Sequence, residues 1–522
     1  MYVMMLTMII LSQVVQWEIL SPYQGFGPGN RNIMILQDGI LIFGGNRRDP
    51  LGDTCWGFCT GVDTASGITL WEHEFTNYEK SIMFTFAKGK GEFFSIGQCY
   101  TSSNNDILVA KLDESGNLLW ERRTGNPLYD GAVTSAFVDT GGNLVVVGCE
   151  YEENTDIYIL SWDSDGNLRW SFSYDSPWHK DDFSFSAGMD EEGSTYAVGY
   201  YTGPIKGKWT VAPMIFELSE NGKPGITSGP ADTCYGLTPL VIKVDSSGNL
   251  IWVDDCEYWN VGGELMFAEY SFGRLYASGF ACNGDLYSQC EDKQGFHFWH
   301  AWENQNFLTM EPHGGFVDMH GNLYLTGHKC NPGPDAFFVS YTFYGERRVF
   351  REVFPGYGTR IVGDSLGNLF IGGRVIDSIG KDFAVAKLDT LGNLIWLYRK
   401  DDGTPDTNQP DQCLGLLPDN RGGVFATGML YDSVMTPIHY VVHLADTTSG
   451  VKENKNPKPG LTIIPAPSGF YITGPSGEAR IYDSAGRLVM AREIKGKTLI
   501  SPLVPGVYFV VAGKERVKVA VR

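Results

Sequence analysis

Positive charge is scarce in this chain. Its 522 residues carry 40 Lys and Arg against 61 Asp and Glu, a formal net charge of −21. No basic run interrupts that balance. Such a surface repels phosphate backbones, which argues against nucleic acid as a partner. Long hydrophobic runs are also scarce. Residues 3–11 are almost wholly apolar, the length of a signal-peptide core and too short to cross a bilayer. A basic segment before them and a small-residue cleavage site after them are both missing. Residues 1–13 read as a secretory signal, the alternative being an apolar first strand. No other run could cross a membrane, so no span is expected in the mature chain.

Motifs that carry chemistry are few. The ten cysteines are Cys55, Cys59, Cys99, Cys149, Cys234, Cys256, Cys282, Cys290, Cys330 and Cys413. None forms a C-x-x-C, so zinc-type spacing is absent. An even count in an exported chain permits disulfides, with Cys282–Cys290 one candidate. No Ser/His/Asp hydrolase set can be picked out from order alone. His297 and His300 lie three apart on an expected strand, where odd spacing sends side chains to opposite faces. His313 and His320 fall in an expected loop and turn, with no carboxylate at ligand spacing. The acidic pairs at 181–182 and 401–402 read as solvated loop carboxylates.

What the sequence has in quantity is glycine, aromatics and repetition. It contains 64 Gly and is 13% aromatic. One motif runs from Gly through alternating apolar residues to Gly. It appears as GILIFG (39–44), GEFFSIG (91–97), GNLVVVG (142–148), GSTYAVG (193–199), GRLYASG (273–279), GNLYLTG (321–327), GNLFIGG (367–373) and GGVFATG (422–428). Most copies lie 46–55 residues apart, and the fourth and fifth lie 80 apart. A fixed period of this size marks a propeller or a solenoid. Between these copies comes DESGNLLW (113–120), echoed by DSDGNLRW (163–170), DSSGNLIW (245–252), DTLGNLIW (389–396) and the looser DTASGITLW (63–71).

Each unit reads as four short antiparallel strands, from its alternation, β-branched content and Gly-Asn turns. No helical period stands out over residues 14–450. The expected fold class is therefore all-β, an eight-bladed β-propeller, with seven blades the alternative. The last unit lacks its Trp-bearing strand, and VVQWEIL near the N-terminus, with Trp17, can supply it. Trp17, Trp71, Trp120, Trp170, Trp252 and Trp396 are the expected blade-packing residues. Asp beside Gly-Asn invites a calcium reading, but no bidentate Glu follows at the required offset, and a turn explains every copy. Gly-x-x-x-Trp also occurs in quinoprotein dehydrogenases, yet the adjacent Cys-Cys pair of those enzymes is missing. No cofactor, no metal and no catalytic residue is expected.

The alternation of GNLYLTG with DFAVAKLDTLGNLIW (382–396) resembles bacterial SBBP-type β-propeller repeat proteins over about residues 30–450. That resemblance implies an extracellular protein and says little about activity. Residues 451–460 are rich in Pro, Lys and Asn and read as a linker. Residues 461–522 resemble the C-terminal sorting domain of the type IX secretion system. The match rests on Pro465 and Pro467, on ARIYDSAGRLV (479–489) with Tyr482, Asp483 and Gly486, and on PGVYFVVAG (505–513) with Pro505, Gly506 and Tyr508. Pro-Ala-Pro stands where that family has Pro-Asn-Pro. The resemblance implies a small immunoglobulin-like β-sandwich, the type IX secretion machinery as a partner, and a secreted or outer-surface location.

On this reading both kinds of Gly-Asn turn share one face of the propeller. The longer connections collect on the other, at 46–58, 98–105, 175–182, 200–238, 253–264, 280–295, 328–335 and 397–411, with the cysteines in or beside them. Binding is expected there. The leading function is a non-enzymatic binding or adhesion module for carbohydrate or protein. The alternative is a secreted glycoside hydrolase or polysaccharide lyase, which would gather paired carboxylates, or His with a carboxylate, in the central pocket.

Overall fold

The computed structural model describes residues 13–21, 33–48, 54–100, 105–124, 130–151, 154–204, 215–218, 224–227, 235–256, 262–281, 284–303, 309–330, 333–376, 380–400, 411–431, 437–446, 462–466, 469–473, 477–483, 488–494, 498–500, 506–512 and 515–521. Among them every regular element is a strand. No helix there is long and apolar enough to cross a membrane. The chain divides into two compact units, Met1–Ser449 and Gly450–Arg522. Residues 1–12 of the expected signal and the whole expected linker at 451–460 lie outside the described residues.

The first unit is β-propeller-like. Its strands form four-stranded antiparallel sheets, numbered here along the chain. The first pairs Met34–Gln37, Ile40–Arg48, Cys55–Asp63 and Thr69–Phe75 in order. The second is the plainest, built from Lys80–Lys88, Glu92–Tyr100, Asn105–Asp113 and Leu118–Thr124, each paired with the next. The third runs from Asp130–Val138 through Leu144–Tyr151 and Thr155–Trp162 to Leu168–Tyr174. The fourth pairs Asp182–Met189, Thr195–Pro204, Tyr235–Val244 and Leu250–Asp254. A separate hairpin, Ile215–Leu218 with Pro224–Thr227, is inserted between its middle strands, which accounts for the long fourth interval. The fifth consists of Gly263–Ser271, Arg274–Ala281, Leu286–Asp292 and His297–Glu303. The sixth and seventh share one long strand, Arg347–Gly363. Its first half pairs with Pro334–Tyr341 and its second half with Leu369–Ile376.

The eighth sheet joins the two ends of the unit. Gln412–Pro418, Val424–Tyr431 and Pro437–Asp446 are followed in space by Gln13–Ser21, which pairs antiparallel with Pro437–Asp446. The core is divided between neighbouring sheets. One cluster sets Val145, Val147, Ile157 and Ile159 of the third sheet against Ala197, Leu240, Ile242 and Val244 of the fourth. Each sheet thus buries both faces, and near-continuous apolar runs follow, as in Asn105–Asp113.

The Asp-led turns are self-contained. Asp113 accepts from the backbone N–H of Ser115 and of Asn117 with one oxygen, and from the Asn117 amide with the other. Asp163, Asp245 and Asp389 repeat this pattern. The Asn117 side-chain bond is the main cause that holds the Asp113 carboxyl below its ordinary range. The turn glycine takes a left-handed φ, +78° at Gly116, which only glycine adopts without cost.

The second unit contains two antiparallel sheets. Thr462–Ala466, Gly469–Thr473 and Thr498–Ile500 form one, and Leu488–Ile494, Gly477–Asp483, Gly506–Ala512 and Glu515–Val521 form the other. Ala479, Ile481, Ile500, Tyr508 and Val510 are buried.

Candidate functional site

A cavity of about 450 Å³ lies among the innermost strands of the first unit. Every sheet contributes to its wall, for example through Met34, Thr85, Ser135, Gly188, Ala268, Gly315, Ile361 and Leu416. In sheets two to eight the innermost strand carries a β-bulge. The bulged positions are Phe84, Thr134, Phe185, Met266, His313, Thr359 and Leu414 in sheets two to eight.

Opposite each bulge stands the closing glycine of the Gly-to-Gly motif. At Gly327 a Cβ would meet the Glu311 carbonyl oxygen at 1.8 Å. The matching glycines, from Gly97 to Gly428, meet their own inner strand at 1.7–2.0 Å. The motif therefore ends in Gly because the bulged strand presses its backbone there.

The bulged residue and the residue two before it are half-buried, while the residue between them is buried. These positions form a band that precedes, on each strand, the stretch lining the cavity; Thr134 lines it directly. Sheets two to four supply Ile82, Phe84, Ala132, Thr134, Phe183 and Phe185. Phe183, Phe185 and Tyr200 form a ring cluster with centroids 4.8–6.1 Å apart. Sheets five to eight supply Glu264, Met266, Glu311, His313, Tyr357, Thr359, Gln412 and Leu414. The ionisable groups of the band all lie in this second half, and its aromatic cluster lies in the first.

The ionisable half is a connected network. His313 and His328 share a hydrogen bond at 2.9 Å, and His328 Nδ1 lies 4.0 Å from Glu311 Oε2. Arg360 donates to the His313 carbonyl at 3.1 Å, and the Arg374 guanidinium lies 4.2 Å from the Tyr357 ring centre. Burial pushes the Glu264 carboxyl up to about 8, helped by Glu311, and raises Glu311 as well. Burial, with His328 and the two guanidiniums beside it, drives His313 down to about 3, and His328 falls to about 4. The imidazoles are thus neutral at pH 7, and one donates to the other. Glu311, His313 and His328 have metal-ligating chemistry, but Arg360 and Arg374 oppose a further cation there.

Several expectations are corrected by these positions. His313 sits on the strand Thr309–Val317, not in a loop, and the bulge at Pro312/Gly314 brings it beside Glu311, the carboxylate that spacing had failed to place. His320 remains in a turn, where its backbone N–H donates to Asp318. His297 lies 2.9 Å from Asp254 of the preceding sheet, while His300 stacks on Tyr287. Asp182 is not a solvated loop carboxylate but a buried strand residue, raised to about 7 mainly by burial. The 401–402 pair lies outside the described residues.

No disulfide joins two of the eight described cysteines, and six of them are buried. Cys59, Cys99, Cys290 and Cys413 occupy strands and pack in apolar clusters between sheets, Cys59 and Cys99 in the same one, while the Cys149 sulfur meets the Ser184 backbone of the next sheet. Cys290 is a core residue rather than a rim brace, and its proposed partner Cys282, like Cys234, lies outside the described residues.

The tryptophans on the fourth strands form a chain of contacts between sheets. Trp71 donates to the Glu114 carbonyl at 2.9 Å, Trp120 to Ser164 at 3.0 Å, Trp170 to Ser246 at 3.0 Å and Trp252 to Lys293 at 3.2 Å. Each acceptor follows the turn-opening Asp of the next sheet. Trp17 reaches Thr64 of the first sheet at 2.9 Å. Trp396 donates instead to the Asp446 carboxylate of the eighth sheet, at 2.7 Å. Trp299 belongs to the same series, donating to Phe343 at 3.1 Å, and was signalled by Gly295 four positions before it. In the second unit, Pro465, Tyr482, Asp483 and Gly506 lie on strands and Tyr508 is buried. Pro467, Gly486 and Pro505 lie outside the described residues.

No protein-family model matches the sequence, and no curated protein matches it. Solved structures do resemble it in fold. A quinohemoprotein alcohol dehydrogenase from Pseudomonas putida HK5 aligns at 12% identity and TM-score 0.49 over 87% of this chain and 79% of its own. Sqt1 of Chaetomium thermophilum, bound to the N-terminus of ribosomal protein L10, aligns at 9% identity and TM-score 0.47 over 82% and 100%. PorZ, a bacterial surface component of the type-IX secretion system of Porphyromonas gingivalis, aligns at 12% identity and TM-score 0.37 over 96% and 75%. Likeness at this level carries no argument about activity.

Proposed function

We propose that residues 14–450 form an eight-bladed β-propeller that acts as an exported, non-enzymatic binding module for carbohydrate. The observation that carries this reading is the two-sided band on the strands that line the cavity. Aromatic rings from sheets two to four suit the apolar faces of sugar rings. The carboxyls, imidazoles and hydroxyls of sheets five to eight suit sugar hydroxyls. The count of eight blades is supported by the cavity wall, to which eight sheets contribute, and by the pairing of Gln13–Ser21 with Pro437–Asp446. Trp17, Trp71, Trp120, Trp170, Trp252 and Trp396 then lock each blade to the next. Residues 461–522 act as a type IX sorting domain of β-sandwich form, joined by a linker at 451–460. Removing them would stop the chain reaching the outer surface of a bacterium that has that machinery.

The test is a glycan array on the purified full chain. Saturable binding is expected, and it is lost in Phe185→Ala and in Glu311→Gln while the unfolding midpoint is kept. An array with no binder, or binding that survives both variants, sinks the proposal. A second reading, a polysaccharide-cleaving enzyme, is favoured by one arrangement. Glu264 and Glu311 interact, and a carboxyl held protonated near pH 7 is what a general acid requires. Release of reducing ends from a polysaccharide, abolished by Glu311→Gln, would establish it in place of the first.

A further inference from the structure

A second cluster lies away from the cavity, in the groove between the fourth and fifth sheets. Asp254 ends the strand Leu250–Asp254, Glu291 lies on Leu286–Asp292 and His297 opens His297–Glu303. One ligand atom from each comes within 4.8 Å of the other two. His297 Nε2 and Asp254 Oδ2 are 2.9 Å apart. Glu291 is wholly buried. One of its oxygens accepts from the Gln289 amide, while the other, Oε2, has no hydrogen-bond partner. An unsatisfied carboxylate oxygen buried in protein is costly and calls for an explanation.

The surrounding charge points one way. Burial, with Asp254 and Asp292 beside it, raises the proton affinity of Glu291 well above the ordinary range. Nearby, Lys243 pairs with Asp190 at 3.7 Å and Lys293 with Glu192 at 2.9 Å. The site therefore brings together two carboxyl groups and an imidazole, with Asp292 close by. It remains open to solvent on the Asp254 and His297 side, where those side chains are 20% and 26% exposed.

We propose that Asp254, Glu291 and His297 form a zinc site that bridges the fourth and fifth sheets. One nitrogen and two oxygen donors suit zinc, as does a fourth position open to water. Ligands about 2.0 Å from a tetrahedral zinc stand roughly 3.3 Å apart, so the His297–Asp254 pair opens by only a few tenths of an ångström. The metal takes up the Glu291 oxygen that protein groups leave bare. It joins strands of two sheets at a seam where Trp252 already reaches across to Lys293.

The experiment is calorimetric titration of Zn²⁺ into the chelator-treated full chain. One saturable site is expected. Binding is lost in His297→Ala and in Glu291→Gln. The latter keeps its shape and removes a buried acid, so its metal-free unfolding midpoint is not lowered. Zinc raises the midpoint of the wild type and not of either variant. Absence of saturable uptake, or uptake that persists in both variants, overturns the proposal.

Discussion

At the scale of single residues, the cavity band is governed by groups whose burial opposes their charge. Glu264 keeps its proton up to about pH 8 in the folded chain, whereas the unfolded chain releases it near pH 4.5. Between those values the folded state binds more protons, so stability falls as pH rises. His313 and His328 act oppositely, since the unfolded chain gains protons below about pH 6.5 and the folded chain does not. They cost stability as pH falls towards 4. Asp182 contributes with the same sign as Glu264, up to about pH 7. The Glu264→Gln variant should therefore show a shallower decline in its urea midpoint between pH 7 and 8 than the wild type. Little of this was legible in the sequence. His313 carried no motif, and its meeting with Glu311 depends on a bulge that changes strand register by one residue. The closing glycines were legible as a pattern, but their cause, a carbonyl pressed against the Cα, is a tertiary contact.

At the scale of strands and sheets, legibility was much greater. The alternation, the spacing of the Gly-to-Gly motif and the Asp-led turns are local signals, and each maps onto one strand or one turn. Trp299 escaped because its turn reads DKQGF rather than D-x-x-G-N, though the Gly-x-x-x-Trp spacing is intact. Val349 holds the equivalent place in the sixth sheet, and there the chain itself runs on unbroken into the seventh as Arg347–Gly363. Contact through indole and continuity of strand thus serve the same joint in different ways. Trp17 is the position at which the joint between the two ends of the first unit can be tested. It is 9% exposed, lies 5.8 Å from the Phe425 ring and bonds to Thr64 across the seam between the eighth and first sheets. Replacing it with Ala should lower stability by about 3–5 kcal/mol, measured by urea unfolding. Trp120→Ala, at a more exposed position, should cost less.

At the scale of the whole chain, the two units differ in what can report on them. All 13 tryptophans precede residue 450, so indole fluorescence follows the first unit alone. A chain ending at Ser449 should unfold with the same fluorescence midpoint as the full chain, because the first unit contains its own core and its own closing strand. A shifted midpoint would show that the second unit lends it stability.

The pairing of Gln13–Ser21 with Pro437–Asp446 also sets an order of events. A strand made at the outset must wait, unpaired, until more than four hundred further residues have emerged and folded. Closure of such distant contacts is slow, because loop entropy opposes it until the intervening sheets are in place. During that wait the eighth sheet presents a bare edge, and the early strand of any second molecule fits it as well as the chain's own. Dilution during refolding should favour self-closure, and crowding should favour exchanged dimers whose rings are each completed by the other chain.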